Sequence, residues 1–431
     1  MTQGPCTSRL AQAAAAHKSP LLEGLSRALA NPYDAVASPN GVVNLGTAEN
    51  HLMFPELLEK LNSSSIRQVT EDMLKYGTMH GSEPLRKAVA NLFNKYLKPC
   101  TAIRPDEITI HAGCGATVNN IAQTIANPGE GILVPTPYYG GFDFDLTLYA
   151  EARPIHVHTS GANAFKIEVS ALERAYQAAL EDNITVRALL LTNPQNPHGR
   201  ALSISEIMPL LRWAKEHNLH VISDEIYALS TFINPNPFVS VLSIPDLPDP
   251  EHTHVLWSMS KDFCINGVRV GACVSRNPEV LAAMQMFALF TNTSSLADRA
   301  VANLLQDEQW VEWFVEENQK RMKEQYGRLV GELNKMEIPF MTADSGFFVL
   351  VNLSKWFEAP GKSGDEPWRK LWYKLLDGGI YILPGEAFNI SETGWFRIVF
   401  TVSWPLLSLG LERLGQVLDR EKQLQVSHSK L

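Results

Sequence analysis

The middle of the chain alternates short apolar runs with helical stretches, and that alternation constrains the fold more than any other feature. Ile108-Thr-Ile-His-Ala leads through glycines into an amphipathic helix over 118–125. Gly131-Ile-Leu-Val-Pro is a short buried strand. Ala188-Leu-Leu-Leu-Thr is another, followed by a loop and a helix over 204–216. His220-Val-Ile-Ser-Asp and Val255-Leu-Trp-Ser continue the series. Strands alternating with helices predict an α/β fold built on a mostly parallel sheet covered on both faces. In such sheets ligands bind beyond the carboxyl ends of the strands, and the polar motifs of this chain collect there.

After about residue 275 the pattern changes. Helical stretches over 279–290, 295–305 and 308–333 precede Gly346-Phe-Phe-Val-Leu-Val and Trp395-Phe-Arg-Ile-Val-Phe, two strands of a separate, smaller α+β unit. We expect a large domain over 56–305 and a small domain over 306–431 that the N-terminal segment 1–55 joins. The length of 431 residues suits two or three domains of roughly 150 residues each.

Composition excludes several classes. With 37 Lys and Arg against 46 Asp and Glu the net charge is −9, so no general nucleic-acid binding is expected. No apolar run approaches the roughly 20 residues that cross a bilayer, and no membrane association is expected. The five cysteines are scattered without C-x-x-C, which argues for a reducing compartment and against a disulfide scaffold or a metal centre.

The ends carry two further expectations. The first 20 residues contain Arg9, His17 and Lys18, no acidic residue and the run Ala13 to Ala16, and read as a disordered arm. The chain stops at Ser429-Lys430-Leu431 after a polar stretch. A terminal S-K-L is a peroxisomal address read by an import receptor, so the expected location is the peroxisome, with the cytoplasm as the alternative.

Three motifs fail on inspection. Gly113-Cys-Gly115 opens a helix after a strand, but Val118 stands where a dinucleotide fingerprint needs its third glycine. Gly361-Lys362-Ser363 resembles the end of a phosphate-binding loop, but Trp356 stands where its first glycine belongs. Ser258-Met-Ser-Lys261 fits S-x-x-K, but S-D-N and K-T-G are missing. A fourth reading uses all the strand ends together: Lys261, Asp224, Asn196 and Thr117 offer an amine nucleophile, a carboxylate, an amide and an anion cradle. Pyridoxal 5′-phosphate needs such a set: a Schiff-base lysine, an acidic partner for its ring nitrogen and a phosphate site.

The residues also carry a resemblance. Asn44-Leu-Gly-Thr-Ala-Glu-Asn-His-Leu, Tyr76-Gly-x-x-His-Gly81, Val134-Pro-Thr-Pro-Tyr-Tyr-Gly-Gly-Phe142, Asn193-Pro-Gln-Asn-Pro-His-Gly199, Ser223-Asp-Glu-Ile-Tyr227, Ser258-Met-Ser-Lys261 and Gly394-Trp-Phe-Arg397 occur in one order. In that order they resemble the fold-type-I pyridoxal-phosphate enzymes of the class I/II aminotransferase family. The branch most resembled holds 1-aminocyclopropane-1-carboxylate synthases and related carbon–sulfur lyases. The resemblance runs from about Asn44 to Thr401 and implies a seven-stranded sheet in the large domain.

It also implies roles. Lys261 matches the Schiff-base lysine and Asp224 the partner of the ring nitrogen. Asn196 and Tyr227 match the groups that bond the ring's phenolic oxygen, and Asn196 also lies toward substrate. Tyr139, or the adjacent Tyr138, matches the aromatic that stacks on the ring. The phosphate is expected on the backbone of Ala116 and Thr117, the hydroxyls of Thr117 and Ser258, and Arg269. Tyr76 resembles the tyrosine that reaches the phosphate from the neighbouring subunit, which implies a homodimer with shared active sites. Arg397 matches the clamp for the α-carboxylate of an amino-acid substrate, and Glu49 an acidic residue near that substrate. One departure stands out: Met79 precedes His80 and Gly81 where many of the synthases have tyrosine, which argues against S-adenosylmethionine as substrate. The reading is a carbon–sulfur lyase that favours β-elimination from a cysteine-type thioether, with the cyclopropane-forming reaction next. The alternative is an aminotransferase. A non-catalytic pyridoxal-binding regulator is remote, because no segment before Asn44 is long enough for an added DNA-binding domain.

Overall fold

The computed structural model describes residues 7–16, 19–233, 238–357 and 366–428. Ser429-Lys430-Leu431 and Gly361-Lys362-Ser363 lie outside these residues. The strands are β1 (Val43–Asn44), β2 (Ile108–His111), β3 (Gly131–Pro135), β4 (Arg153–Val157), β5 (Val186–Thr192), β6 (His220–Asp224), β7 (Thr253–Ser258), β8 (Gly271–Val274), β9 (Phe348–Asn352), β10 (Ile380–Tyr381), β11 (Leu383–Pro384) and β12 (Trp395–Val399).

Seven of them form one sheet in the order β2-β8-β7-β6-β5-β3-β4. β8 runs antiparallel to β2 and β7, and the other pairs are parallel. Successive side chains of a strand point to opposite faces, and the cores follow that rule. Leu189, Leu191, Val221, Val255 and Trp257 pack on one face with the helices Glu83–Tyr96, Val169–Glu181, Ile204–Glu216 and Ser295–Gln306. Ala188, Leu190, Ile222, Leu256 and Cys273 pack on the other with Cys114–Ile125 and Pro278–Thr291. Burial on both faces is why these strands read as unbroken apolar runs.

A second core holds the antiparallel sheet β11-β12-β9, the helices Pro367–Asp377 and Trp404–His428, and the parallel pair β1-β10. The helix Glu308–Lys335 links the two bodies. Its Val311, Phe314 and Val315 sit in the large core, and its Met322, Leu329 and Leu333 in the small one. At 28 residues it is about 42 Å long.

The amino-terminal arm departs from the sequence expectation. Arg9–Ala16 is helical, which follows from the strong helix preference of its alanine run. The next helix, Pro20–Ala30, starts on a side-chain cap, the Ser19 oxygen accepting from Leu21 N, with proline in the first turn. Among the described residues no helix is long and apolar enough to cross a membrane.

Candidate active site

The carboxyl ends of β5, β6 and β7 open into a cavity of about 370 Å³. The helix Cys114–Ile125 points its amino terminus at it, and the small body closes the far side with Leu383 and Arg397. Of the residues expected from sequence, Lys261, Asp224, Asn196, Tyr227, Tyr139, Arg269 and Arg397 all line this space.

Lys261 sits on a single turn after β7, and its Nζ donates to the Ala48 carbonyl at 2.5 Å. Burial, helped by the Arg397 charge, pulls the amine down to about 8, so about a tenth is neutral and nucleophilic at pH 7, far more than for a free lysine. Asp224 ends β6 and is 4% exposed. Its Oδ1 accepts from Ile226 N at 3.3 Å and from the Cys114 thiol at 3.8 Å. Burial holds this carboxyl up at about 7; a cation placed against it would restore its charge.

Arg397 is buried between the rings of Phe348 and Phe388, 4.9 and 4.7 Å from their centres. Its Nη1 donates to Asn196 Oδ1 at 2.8 Å and its Nη2 to the Gly46 carbonyl at 2.6 Å. Its Nε is buried without a partner, and no acidic side chain among the described residues pairs with it. A buried guanidinium without a counter-charge is costly unless an anion joins it. The bond from Arg397 occupies the Asn196 oxygen and leaves that residue's Nδ2 as the donor.

Tyr139 and Tyr138 part company here. Tyr138 is buried in the large body, its hydroxyl bonded to Asp143 and His156 at 2.5 and 3.0 Å. Tyr139 is 38% exposed at the cavity wall. Gly141 is required beneath it, because a Cβ there would lie 2.3 Å from the Tyr139 ring.

At the other end of the cavity Arg269 lies against Gly113, where a Cβ would stand 2.5 Å from its Nη2. Gly113 has a φ of 89° and caps the helix. Arg269 itself is left-handed, with a φ of 60°. The guanidinium donates to the Asn266 and Ala112 carbonyls. Together with the first-turn N–H groups of Cys114, Gly115 and Ala116 it forms an anion cradle.

The Thr117 and Ser258 hydroxyls, expected at the phosphate, make bonds within the chain. Thr117 N donates to the Gly113 carbonyl at 3.1 Å, and its buried hydroxyl donates to the same oxygen at 3.0 Å. It is the first helix residue whose N–H finds a partner inside the helix, so the free donors lie before it. The Ser258 hydroxyl caps its own turn, accepting from Ser260 N and donating to the Val270 carbonyl at 2.8 Å. Ser260 lines the cavity, and its hydroxyl lies 2.8 Å from that of Ser258.

Three further expectations fall outside the wall of this subunit's cavity. Glu49 turns toward His51, with 3.2 Å between Oε2 and Nε2, although its charge still acts on Lys261. Tyr76 is 96% exposed. Met79 does not line the space either; its sulfur accepts from Asn292 Nδ2 at 3.3 Å.

Comparison with known proteins settles the family. A model of the class I and II aminotransferases matches residues 40–414. The chain belongs to this family. It is 35% identical over 399 residues to 1-aminocyclopropane-1-carboxylate synthase-like protein 1 of Mus musculus, across 91% of this chain and 79% of that one. It is 36% identical over 390 residues to a Homo sapiens protein named "Probable inactive 1-aminocyclopropane-1-carboxylate synthase-like protein 2", across 89% and 68%. A mutant aspartate aminotransferase of Thermus thermophilus has the same fold, with a TM-score of 0.80 at 24% identity over 96% of this chain and all of that one.

The cofactor of this aminotransferase family is pyridoxal 5′-phosphate. The residues fit it. Lys261 supplies the amine, Asp224 a buried carboxyl that makes no ion pair among the described residues, and Arg269 with the helix start a seat for phosphate. Proteins of this fold typically act as homodimers on amino-acid substrates. Sequence reasoning missed Cys114, Gly115, Asp145, Ser260 and Asn266, all on the cavity wall. Burial and the nearby Asp224 hold the Asp145 carboxyl up at about 7. Gly115 gives this carboxyl room, since a Cβ there would lie 2.9 Å from Asp145 Oδ1. The strand-end position of the G-x-G pattern was the one signal that could have marked Cys114.

Proposed function

We propose that the protein is a pyridoxal-phosphate-dependent carbon–sulfur lyase that eliminates a thiol from a cysteine-type thioether. The observation that carries an amino-acid substrate is Arg397, a buried cation without a counter-charge in the same cavity as Lys261. Arg397 binds the α-carboxylate and so fixes which bond at Cα is presented for cleavage. Lys261, neutral near its pKa of about 8, accepts the Cα proton on Nζ. When bound, the cofactor supplies an electron sink for the charge left at Cα. Asp224 would hold the proton on the cofactor's ring nitrogen, its own charge restored by that cation. The electron pair leaves Cβ with the sulfur, and addition of water completes the products: thiol, 2-oxo acid and ammonium. Carbon–sulfur cleavage, in preference to transamination, is supported by the Asn44 to Leu52 motif and by the synthase-like relative.

The test is a product assay on the holoenzyme with S-alkyl cysteines, S-adenosylmethionine, and an amino acid paired with a 2-oxo acid. Thiol and ammonia in equal amounts are expected. Methylthioadenosine would mean the cyclopropane route, reciprocal amino and oxo acids an aminotransferase, and no turnover of any of them a binding protein.

Two further readings belong to this proposal. A homodimer with shared sites is supported by Tyr76 standing exposed with Leu74, Met286 and Phe290; a monomer on sizing chromatography would remove it. A peroxisomal location is supported by Ser429-Lys430-Leu431 alone. A fluorescent reporter carrying this carboxyl-terminal tail should enter peroxisomes, and one lacking the last tripeptide should stay diffuse.

A further inference from the structure

Three cations line the cavity: Lys261, Arg269 and Arg397. Each already has a task in the proposed reaction, on which this inference rests. The subunit's described cavity wall offers no fourth cation for a charged group on the substrate side chain. Its acids, Asp145 and Asp224, offer an anionic one no opposite charge.

The wall next to Arg397 is apolar, and an unusual element supplies it. Leu21 and Leu25, one turn apart on the helix Pro20–Ala30, both line the cavity. Gly24 between them is buried against Tyr381 and Trp372, where a Cβ would lie 2.3 and 2.8 Å from ring carbons. Only glycine lets the helix seat this closely. The Tyr381 hydroxyl donates to the Leu21 carbonyl at 3.3 Å, and Tyr373 donates to Glu23 at 2.9 Å. Arg27 pairs with Asp377 at 3.4 Å. The same Tyr381 ring closes on Gly46, whose carbonyl accepts from Arg397. The path Arg397, Gly46, Tyr381, Leu21 is therefore continuous. A molecule whose carboxylate lies on Arg397 shares one cavity with Leu21 and Leu25.

We propose that Leu21 and Leu25 form the side-chain subsite, and that it selects apolar thioether side chains over charged ones. A thioether is weakly polar and packs well against leucine, whereas a carboxylate buried there without a partner loses its hydration uncompensated.

The experiment uses the full-length holoenzyme and reads binding from the change in visible absorption of the lysine-bound cofactor. The ligands are alanine, aspartate, and S-methyl-, S-ethyl- and S-propylcysteine. Affinity should rise about fourfold per added methylene, with aspartate at least about tenfold weaker than S-methylcysteine. Leu21→Ser and Leu25→Ser should flatten that series and leave alanine unchanged. Leu25→Arg should strengthen aspartate by about tenfold and weaken S-propylcysteine, a gain that misfolding does not produce. A flat series in the wild type, or a gradient that survives both serine variants, overturns the subsite. If no amino acid perturbs the absorption, the amino-acid reading itself falls and the subsite falls with it.

Discussion

Lys261→Ala is expected to abolish the visible absorption of the lysine-bound cofactor, and borohydride should leave no cofactor on the chain. Activity should fall by at least about 10²- to 10⁴-fold, the range that a positioned proton-transfer group contributes. The folded protein should tolerate the change, because the amine bonds only the Ala48 carbonyl and, at 3.3 Å, the Asn266 side-chain oxygen, and is held in a site whose burial penalises its charge. A second reading comes from pH. The neutral amine is the reactive form, and burial followed by the Arg397 charge places its pKa near 8 in place of the ordinary 10.5. Recombination of the apoprotein with pyridoxal phosphate should accelerate as pH rises and level off above about 8. Removing the Arg397 charge should move that midpoint upward. A borohydride-stable adduct in Lys261→Ala would exclude Lys261 as the attachment site, and a wild-type midpoint at the position of a free lysine would exclude the effect of burial on its amine.

What could be read from sequence follows the physics of each element. β5, β6 and β7 are buried on both faces, so continuous apolar runs give them away, and the polar residue at each end marks the site. β4 was not legible, because Arg153-Pro154 reads as a break; at the edge of the sheet proline is tolerated. β8 was not legible either, being four residues long and flanked by antiparallel partners that no crossover helix announces. Lys261, Asp224 and Asn196 were found because their chemistry is carried by residue type at or just beyond a strand end, whereas Arg397, in the middle of β12, was found only through the family motif. Cys114 and Asp145 were missed because their role depends on distance to Asp224. The thiol contact joins residues 110 positions apart, and only the relative placement of the helix Cys114–Ile125 and β6 creates it. The phosphate cradle was legible in part: motif matching names the backbone of Ala116 and Thr117, but only internal helix bonding shows that the N–H groups of Cys114, Gly115 and Ala116 stay free while that of Thr117 is bonded to Gly113.

Arg397→Met is the variant whose effects on function and stability should run in opposite directions. In the wild type the guanidinium is 2% exposed, bonded to Asn196 Oδ1 and the Gly46 carbonyl, and has no acidic partner. Removing one member of a buried, hydrogen-bonded charge pair costs about 2–5 kcal/mol. The loss of the substrate carboxylate contact should therefore lower kcat/KM by about 30- to 5,000-fold. The apoprotein has no such pair to lose. It sheds a buried cation and gains a flexible apolar side chain between Phe348 and Phe388, and buried charges are often replaced by apolar groups at no cost or with a gain of about 1–4 kcal/mol. Two lost hydrogen bonds to Asn196 and Gly46, about 1 kcal/mol each, offset part of that gain, so the Tm of the apoprotein should be unchanged or higher. An amine ligand that lacks the carboxylate should bind wild type and variant alike, since it never used the clamp. Arg397 would instead be a structural strut if the apoprotein lost several kcal/mol while substrate affinity held. The pairing of a large functional loss with undiminished stability separates a group kept for an absent anion from a group kept for the fold.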